Sequence, residues 1–317
     1  MLRAREPKML TYDRAVAMTE ASGLEEAAKQ ISEFGYPDMA QMDAAGIEQT
    51  LSEHRDAIFG ELVRLTPDEG LIGAFRMKYD YHNVKTIIKA EAAGLDGSRL
   101  LSGMGRFDAE RLTADYNEDK LTDYPETFST AVREAAGILA KTGNPQLSDF
   151  VLDKAYFAEL LADAEELGND YFLGYVKLLI DSANFRSAVR TLRMGKDSDF
   201  LKDALIPGGS VACEKVEAAA SASDLAALYA SGPLSGAALL AENAVDGASL
   251  TDFEKACDNA VNNYLKKARY VTYGPETVIA YLASVEAETT AARMILTGKL
   301  SGVEGSIIKE RLRDMYA

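Results

Sequence analysis

Residues 172–195 read FLGYVKLLIDSANFRSAVRTLRMG, and residues 71–94, LIGAFRMKYDYHNVKTIIKAEAAG, lie against them without a gap. Gly73 meets Gly174, Arg76 meets Lys177, Asp80 meets Asp181, Asn83 meets Asn184, Lys85 meets Arg186, Lys89 meets Arg190 and Gly94 meets Gly195. Apolar residues recur in both at three- and four-residue spacing, the period of a helix. In the later stretch Leu178, Leu179, Ile180, Phe185, Val189 and Leu192 cover more than one face, as in a helix buried on several sides. Gly94 and Gly195 then stand where a left-handed residue ends a helix.

A weaker third copy, residues 275–298 (PETVIAYLASVEAETTAARMILTG), keeps the helical run, a base at Arg293 and a closing glycine at Gly298. Aligned on that glycine, it has Ser284 and Ala287 in place of the Asp and Asn. The offsets, from 94 to 195 and from 195 to 298, divide the chain into thirds: 1–110, 111–215 and 216–317. Three copies of one unit imply a pseudo-threefold object or a short array.

Asn is a poor choice inside a helix, and Asp-x-x-Asn sets both side chains on one face. Buried polar groups need partners, so the pairs Asp80 with Asn83 and Asp181 with Asn184 are expected to bond neighbouring helices or neighbouring repeats and to fix the packing register. Contact with a partner protein is the alternative role.

The rest of the sequence is helical in character. Only eight prolines interrupt long stretches rich in Ala, Leu, Glu and Lys, and no Val/Ile/Thr run alternates with period two. Helices are expected near 11–34, 45–58, 67–92, 122–140, 146–167, 169–194, 249–269, 275–297 and 303–315, with shorter ones between. Thr66-Pro67-Asp68-Glu69 offers an N-cap, a first-turn proline and first-turn acids, and Gly94, Gly195 and Gly298 are the expected residues just past helix ends. The fold class is therefore all-α, built of three similar helical domains.

Charge and composition exclude several functions. With 34 basic residues against 50 acidic ones, a net charge of −16 repels phosphate backbones, so nucleic acid is not an expected partner. No apolar run is long enough to span a bilayer, and MLRAREPKML lacks the apolar core of a signal peptide. Two cysteines, Cys213 and Cys257, make neither a disulfide framework nor a thiolate cluster, which suits a reducing compartment.

No arrangement of residues calls for catalysis. His54 and His82 are the only histidines and lie in no metal-binding spacing; His82 reads as a packed side chain and His54 as part of a solvated helix face. Thr297-Gly298-Lys299 has Arg293 where a phosphate loop needs glycine, and Gly103-Met104-Gly105 has Asp108 where a dinucleotide fingerprint needs its third. Carboxylate groups such as Glu25 with Glu26, Asp163 with Glu165 and Glu166, and Glu286 with Glu288 read as solvated faces or helix-start charges. Catalytic, cofactor-binding and metal-ligating residues are all expected to be absent.

Several blocks in order resemble the C subunit of the archaeal and bacterial V/A-type rotary ATPases, whose eukaryotic counterpart is the d subunit. They are Lys78-Tyr79-Asp80-Tyr81-His82-Asn83-Val84-Lys85, Ile180-Asp181-Ser182-Ala183-Asn184-Phe185-Arg186, Gly274-Pro275-Glu276-Thr277-Val278-Ile279-Ala280-Tyr281-Leu282, Arg293-Met294-Ile295-Leu296-Thr297-Gly298-Lys299-Leu300 and Ile308-Lys309-Glu310-Arg311-Leu312-Arg313. The resemblance implies a funnel of three helical domains around a pseudo-threefold axis. It also implies a non-catalytic rotor part, one copy per complex and a monomer when isolated, joining central-shaft subunits of D and F type to the membrane rotor ring. Such a rotor part links ATP turnover to H+ or Na+ transport, needs no cofactor, lies peripherally on the cytoplasmic face of the plasma membrane, and touches the membrane only through the ring. Family members usually begin with further helical residues before the stretch matching Arg3 to Leu10, so a short first helix is expected. Failing that resemblance, the repeats would make a helical scaffold or adaptor.

Overall fold

The computed structural model describes residues 2–65 and 69–316; the N-cap expected at Thr66, Pro67 and Asp68 lies outside them. Among the described residues there is no strand. The α-helices are α1 (Tyr12–Thr19), α2 (Leu24–Ser32), α3 (Ala44–Leu65), α4 (Glu69–Ala93), α5 (Ala109–Asn117), α6 (Glu126–Thr142), α7 (Pro145–Glu166) and α8 (Asp170–Arg193). After them come α9 (Ser198–Ala204), α10 (Cys213–Ala218), α11 (Ala222–Tyr229), α12 (Ser235–Val245), α13 (Leu250–Leu265), α14 (Pro275–Leu300) and α15 (Gly305–Arg311).

The helices gather into two compact units, and the first takes both ends of the sequence, up to residue 67 and from residue 229 onward. Its axis is α14, against which α1, α2, α3, α13 and α15 pack. An unbroken buried run from Ile279 to Val285 shows that α14 is enclosed on every side at its middle. Leu10, Met18, Ile31, Met39, Leu51, Ile295 and Ile308 complete this core. The chain ends are joined by Arg3, whose guanidinium donates to the carbonyls of Ala268 and Val271 and to the Tyr316 hydroxyl.

The second unit is the intervening segment, 68–228. Its centre is the hairpin of α6 and α7, turned by Gly143 at φ +64° and restarted by the Asn144 side chain, which accepts the Gln146 N–H at 3.0 Å. The α4 helix packs on α6 and α7, and α8 packs on α7, α9 and α10. Tyr81, Phe107, Tyr124 and Phe128 form an edge-on and stacked aromatic cluster between them.

Two expectations need correction. The single helix expected over 11–34 is two, because the chain leaves the helix after Thr19 and restarts at Leu24, where Glu26 accepts both the N–H and the hydroxyl of Ser22 at 2.7 and 2.8 Å. Gly298 does not end the third long helix. That helix runs on to Leu300, and its left-handed residue is Gly302 at φ +68°, matching Gly94 at +65° and Gly195 at +62°. The three ends share one hydrogen-bond pattern. Leu95, Lys196 and Val303 donate to the carbonyls of Ala90, Thr191 and Gly298, while Gly94, Gly195 and Gly302 donate to Glu91, Leu192 and Lys299. Gly298 serves packing instead: a Cβ there would lie 2.8 Å from Ile308 Cδ1, so a side chain would force Ile308 of α15 to shift.

Candidate functional site: polar side chains that hold connecting segments

On α4, Arg76, Asp80 and Asn83 follow one another at helical spacing along one face. Asp80 and Asn83 are fully buried, and what they meet is the segment that follows their own helix rather than another repeat. The Asn83 amide donates to the Ser102 carbonyl at 2.9 Å and accepts the Ser102 N–H at 2.8 Å, so it pairs with one residue as a neighbouring strand would. Asp80 accepts the Phe107 N–H at 3.2 Å and the Arg106 Nε–H at 2.6 Å. Arg76 closes the clamp by donating to the carbonyls of Met104 at 2.9 Å and Gly105 at 2.5 Å. Burial pushes the Asp80 carboxyl upward, opposed by Arg106 and the Phe107 N–H.

The same device recurs on α8. The Asn184 amide donates to the Ile206 carbonyl at 2.7 Å and accepts the Ile206 N–H at 2.8 Å. Asp181 accepts the N–H groups of Ser210 and Val211 at 3.0 and 3.1 Å. In both places glycine lets the backbone approach: a Cβ on Gly105 would fall 2.4 Å from Asp80 Oδ1, and one on Gly209 would fall 2.3 Å from Asp181 Oδ1. These glycines were missed from the sequence. The signal was present, since Gly103-Met104-Gly105 is a tight loop placed after the first polar pair much as Pro207-Gly208-Gly209 is after the second.

In the first unit the corresponding carboxylate is Glu288. Counted back from the left-handed glycine, Asp80, Asp181 and Glu288 occupy one position (80 to 94, 181 to 195, 288 to 302). On this register Ser284 does not stand in the place of the aspartate; its hydroxyl bonds back to the Ala280 carbonyl of its own helix at 2.5 Å. Glu288 is buried, and burial pushes its pKa up to about 7, with Tyr36 and the Leu10 backbone acting in the opposite direction. An amide clamp exists there too, divided between two residues of α13: Asn259 accepts the Asp314 N–H at 2.8 Å and Asn262 donates to the Asp314 carbonyl at 2.6 Å.

Basic positions tie helices together. Lys85 and Lys89 on α4 reach Asp153 and Asp149 on α7 at 2.6 and 2.7 Å, and Arg293 on α14 holds the Glu48 carboxylate of α3 through Nε and Nη2, one edge of its guanidinium. Arg190 is exposed at the end of α8. His82 lies 3.0 Å from the Leu100 carbonyl, as a packed side chain would. His54 is not on a solvated face: it is half-buried 4.2 Å from the Tyr36 ring, and burial lowers its pKa. Glu286 and Glu288 do not meet as an acid pair, since Glu286 faces Arg55 of α3 at 3.8 Å. Cys213 and Cys257 carry free thiols, and no group of histidines, cysteines and carboxylates among the described residues is placed to hold a metal ion.

A helical body whose buried polar side chains clamp its own connecting segments is built as a structural component. The sequence profile of the family described as ATP synthase (C/AC39) subunit matches residues 1–311, and the chain belongs to that family, a non-catalytic structural part of V/A-type ATP synthases. It is 22% identical to the C subunit of the V-type sodium ATPase of Enterococcus hirae over 100% of this chain and 97% of the relative. It is 25% identical to the C subunit of the A-type ATP synthase of Methanocaldococcus jannaschii, over 98% and 84%, and 29% identical to that of Halorubrum lacusprofundi, over 77% and 73%. Among the described residues no helix is long and apolar enough to cross a membrane.

Proposed function

We propose that the chain is the coupling piece of the rotor, seating the central-shaft subunits of D and F type at one end and resting on the membrane rotor ring at the other. In this reading the thirds 1–110, 111–215 and 216–317 are diverged copies arranged as a funnel about a pseudo-threefold axis. One copy per complex, on the cytoplasmic face of the plasma membrane, passes rotation between ATP turnover and H+ or Na+ transport. The positions Asp80, Asn83, Lys89, Gly94, Asp181, Asn184, Arg190, Gly195, Arg293 and Gly298 serve that role by fixing packing rather than by touching a substrate.

The observation that supports this most is the recurrence of the same two-point clamp on α4 and α8. A torque carrier must not yield under load. Interiors packed at crystal-like density resist deformation, and buried, fully paired polar networks hold loops to helices in a single register. The net charge of −16 further suits a basic shaft end, because complementary potentials steer encounter and fix orientation.

Gentle-detergent purification of the chain from native membranes should recover shaft and ring subunits with it. An intact complex that lacks them would sink the assignment. Raising salt should weaken reconstitution with the shaft subunits; binding indifferent to ionic strength would point to an apolar socket instead.

A further inference from the structure

Among the described residues the two most exposed large side chains of apolar character are Tyr270, at 92%, and Tyr273, at 88%, both in the turn that leads into α14. The turn is not slack. Lys266–Tyr270 is a 3-10 turn closed by the Val271 N–H on the Ala268 carbonyl at 2.9 Å, and Arg3 donates to the carbonyls of Ala268 and Val271, on either side of Tyr270. Leu265 and Ala268 are buried beneath it. Gly274, at φ +134°, then directs the chain into α14 in a conformation that residues with side chains rarely adopt. Two rings are thus held out in water on a pinned base.

The charge of this turn runs against that of the chain. Between Asp258 and Glu276 lie Lys266, Lys267 and Arg269 and no acid, although 50 acidic residues face 34 basic ones in the whole sequence. Lys267 stands 4.4 Å over the Tyr264 ring and Arg269 5.0 Å over the Tyr316 ring, and among the described residues none of the three bases is in an ion pair. Carboxylates close by are taken, Glu6 by Arg3 and Asp258 by Arg313. A basic tip bearing two tyrosines is complementary to an anionic surface, whereas a basic shaft end would be repelled by it. Nucleic acid asks in addition for a basic groove that tracks the strand, and rings this exposed have no walls beside them. Tyrosine, an apolar ring with a polar tip, is the side chain that settles where headgroups meet acyl chains.

We propose that the turn from Lys266 to Gly274 is a lipid-touching tip: Lys266, Lys267 and Arg269 draw it to anionic phospholipid headgroups, and Tyr270 and Tyr273 seat their rings at the headgroup boundary. The contact is made by this chain itself rather than through the ring, and it does not depend on the role proposed for the chain in a rotor. Each base near an anionic bilayer strengthens binding by about fivefold, an attraction that added salt screens.

The chain has no tryptophan, so Tyr273→Trp sets a single reporter on the tip. Emission of this full-length variant is expected to shift to the blue on vesicles of equal parts phosphatidylglycerol and phosphatidylcholine at low salt, and to stay unchanged on phosphatidylcholine alone. Co-flotation of the wild-type chain with the mixed vesicles is expected to fall by about a hundredfold when Lys266→Gln, Lys267→Gln and Arg269→Gln are combined. Tyr270→Ser should weaken it severalfold, and these exposed substitutions leave the buried base of the turn in place. Unshifted emission with no co-flotation overturns the proposal. So does vesicle binding that survives the triple substitution, which puts the contact elsewhere on the chain. A shift with duplex DNA or polyglutamate and none with vesicles also overturns it, assigning the tip to nucleic acid or to an acidic protein.

Discussion

Asp181 on α8 and Glu288 on α14 stand at the same distance from helix ends of the same geometry, yet their surroundings differ. Asp181 grips backbone only thirty residues further on, through two N–H groups, in a segment that follows its own helix. Glu288 instead lies buried near Tyr36 and the Leu10 backbone, groups far from it in the sequence. Burial at the second of these sites raises the carboxyl's pKa to about 7. One position in two helices thus serves a backbone clamp in one unit and a buried acid of raised pKa in the other.

The comparison can be broken most forcefully by pH. Because burial raises the Glu288 pKa from 4.5 to about 7, the folded chain binds more protons than the unfolded one across that interval. Stability from this group is complete below about pH 4.5 and is lost as pH rises to 7, a change of about 3 kcal/mol for a fully buried carboxyl. Denaturant melts of wild type against Glu288→Gln should differ by that slope, and equal slopes would mean that Glu288 is hydrated. Next in size, Asn184→Ala leaves the N–H of buried Ile206 unpaired and its carbonyl with only the weak Cys213 thiol donor, and should lower stability by about 2 kcal/mol in the same assay. Asn83→Ala should cost less, about 1 kcal/mol, because Ser102 is only partly buried and water can replace the amide. If the two substitutions cost the same, burial of the held segment is not what sets the strength of a clamp. The smallest effect belongs to Lys89→Ala, which removes a half-exposed ion pair to Asp149 and should change stability by under about 1 kcal/mol, less still in high salt.

How far the sequence discloses this depends on how local each feature is. The long helices are legible because their apolar period persists over many turns, and α4, α7 and α8 lie within a few residues of the expected limits. The Asp-x-x-Asn pairs announce themselves because polar side chains inside apolar helices demand partners. Their targets do not, since a segment of irregular backbone has no period and only Gly105 and Gly209 betray how closely it passes. The third helix misleads for a different reason. Glycine at 298 and glycine at 302 both follow apolar turns, and choosing between them requires knowing that Ile308 packs over the first and leaves it no room for a side chain. That four-residue error conceals Glu288, which then looks like one more acid in an acidic protein.

The first unit takes α1, α2 and α3 from the start of the sequence and α14 from near its end, with the whole second unit synthesised in between. On the ribosome the second unit can therefore close as soon as its residues emerge, whereas the earliest helices must wait for the last long one before their apolar faces are covered. A nascent chain stalled after residue 228 would hold a folded hairpin unit beside three helices with no α14 to pack on. The order of birth thus runs opposite to the order of completion, and it is the first-made part of the molecule that most needs a chaperone's shelter.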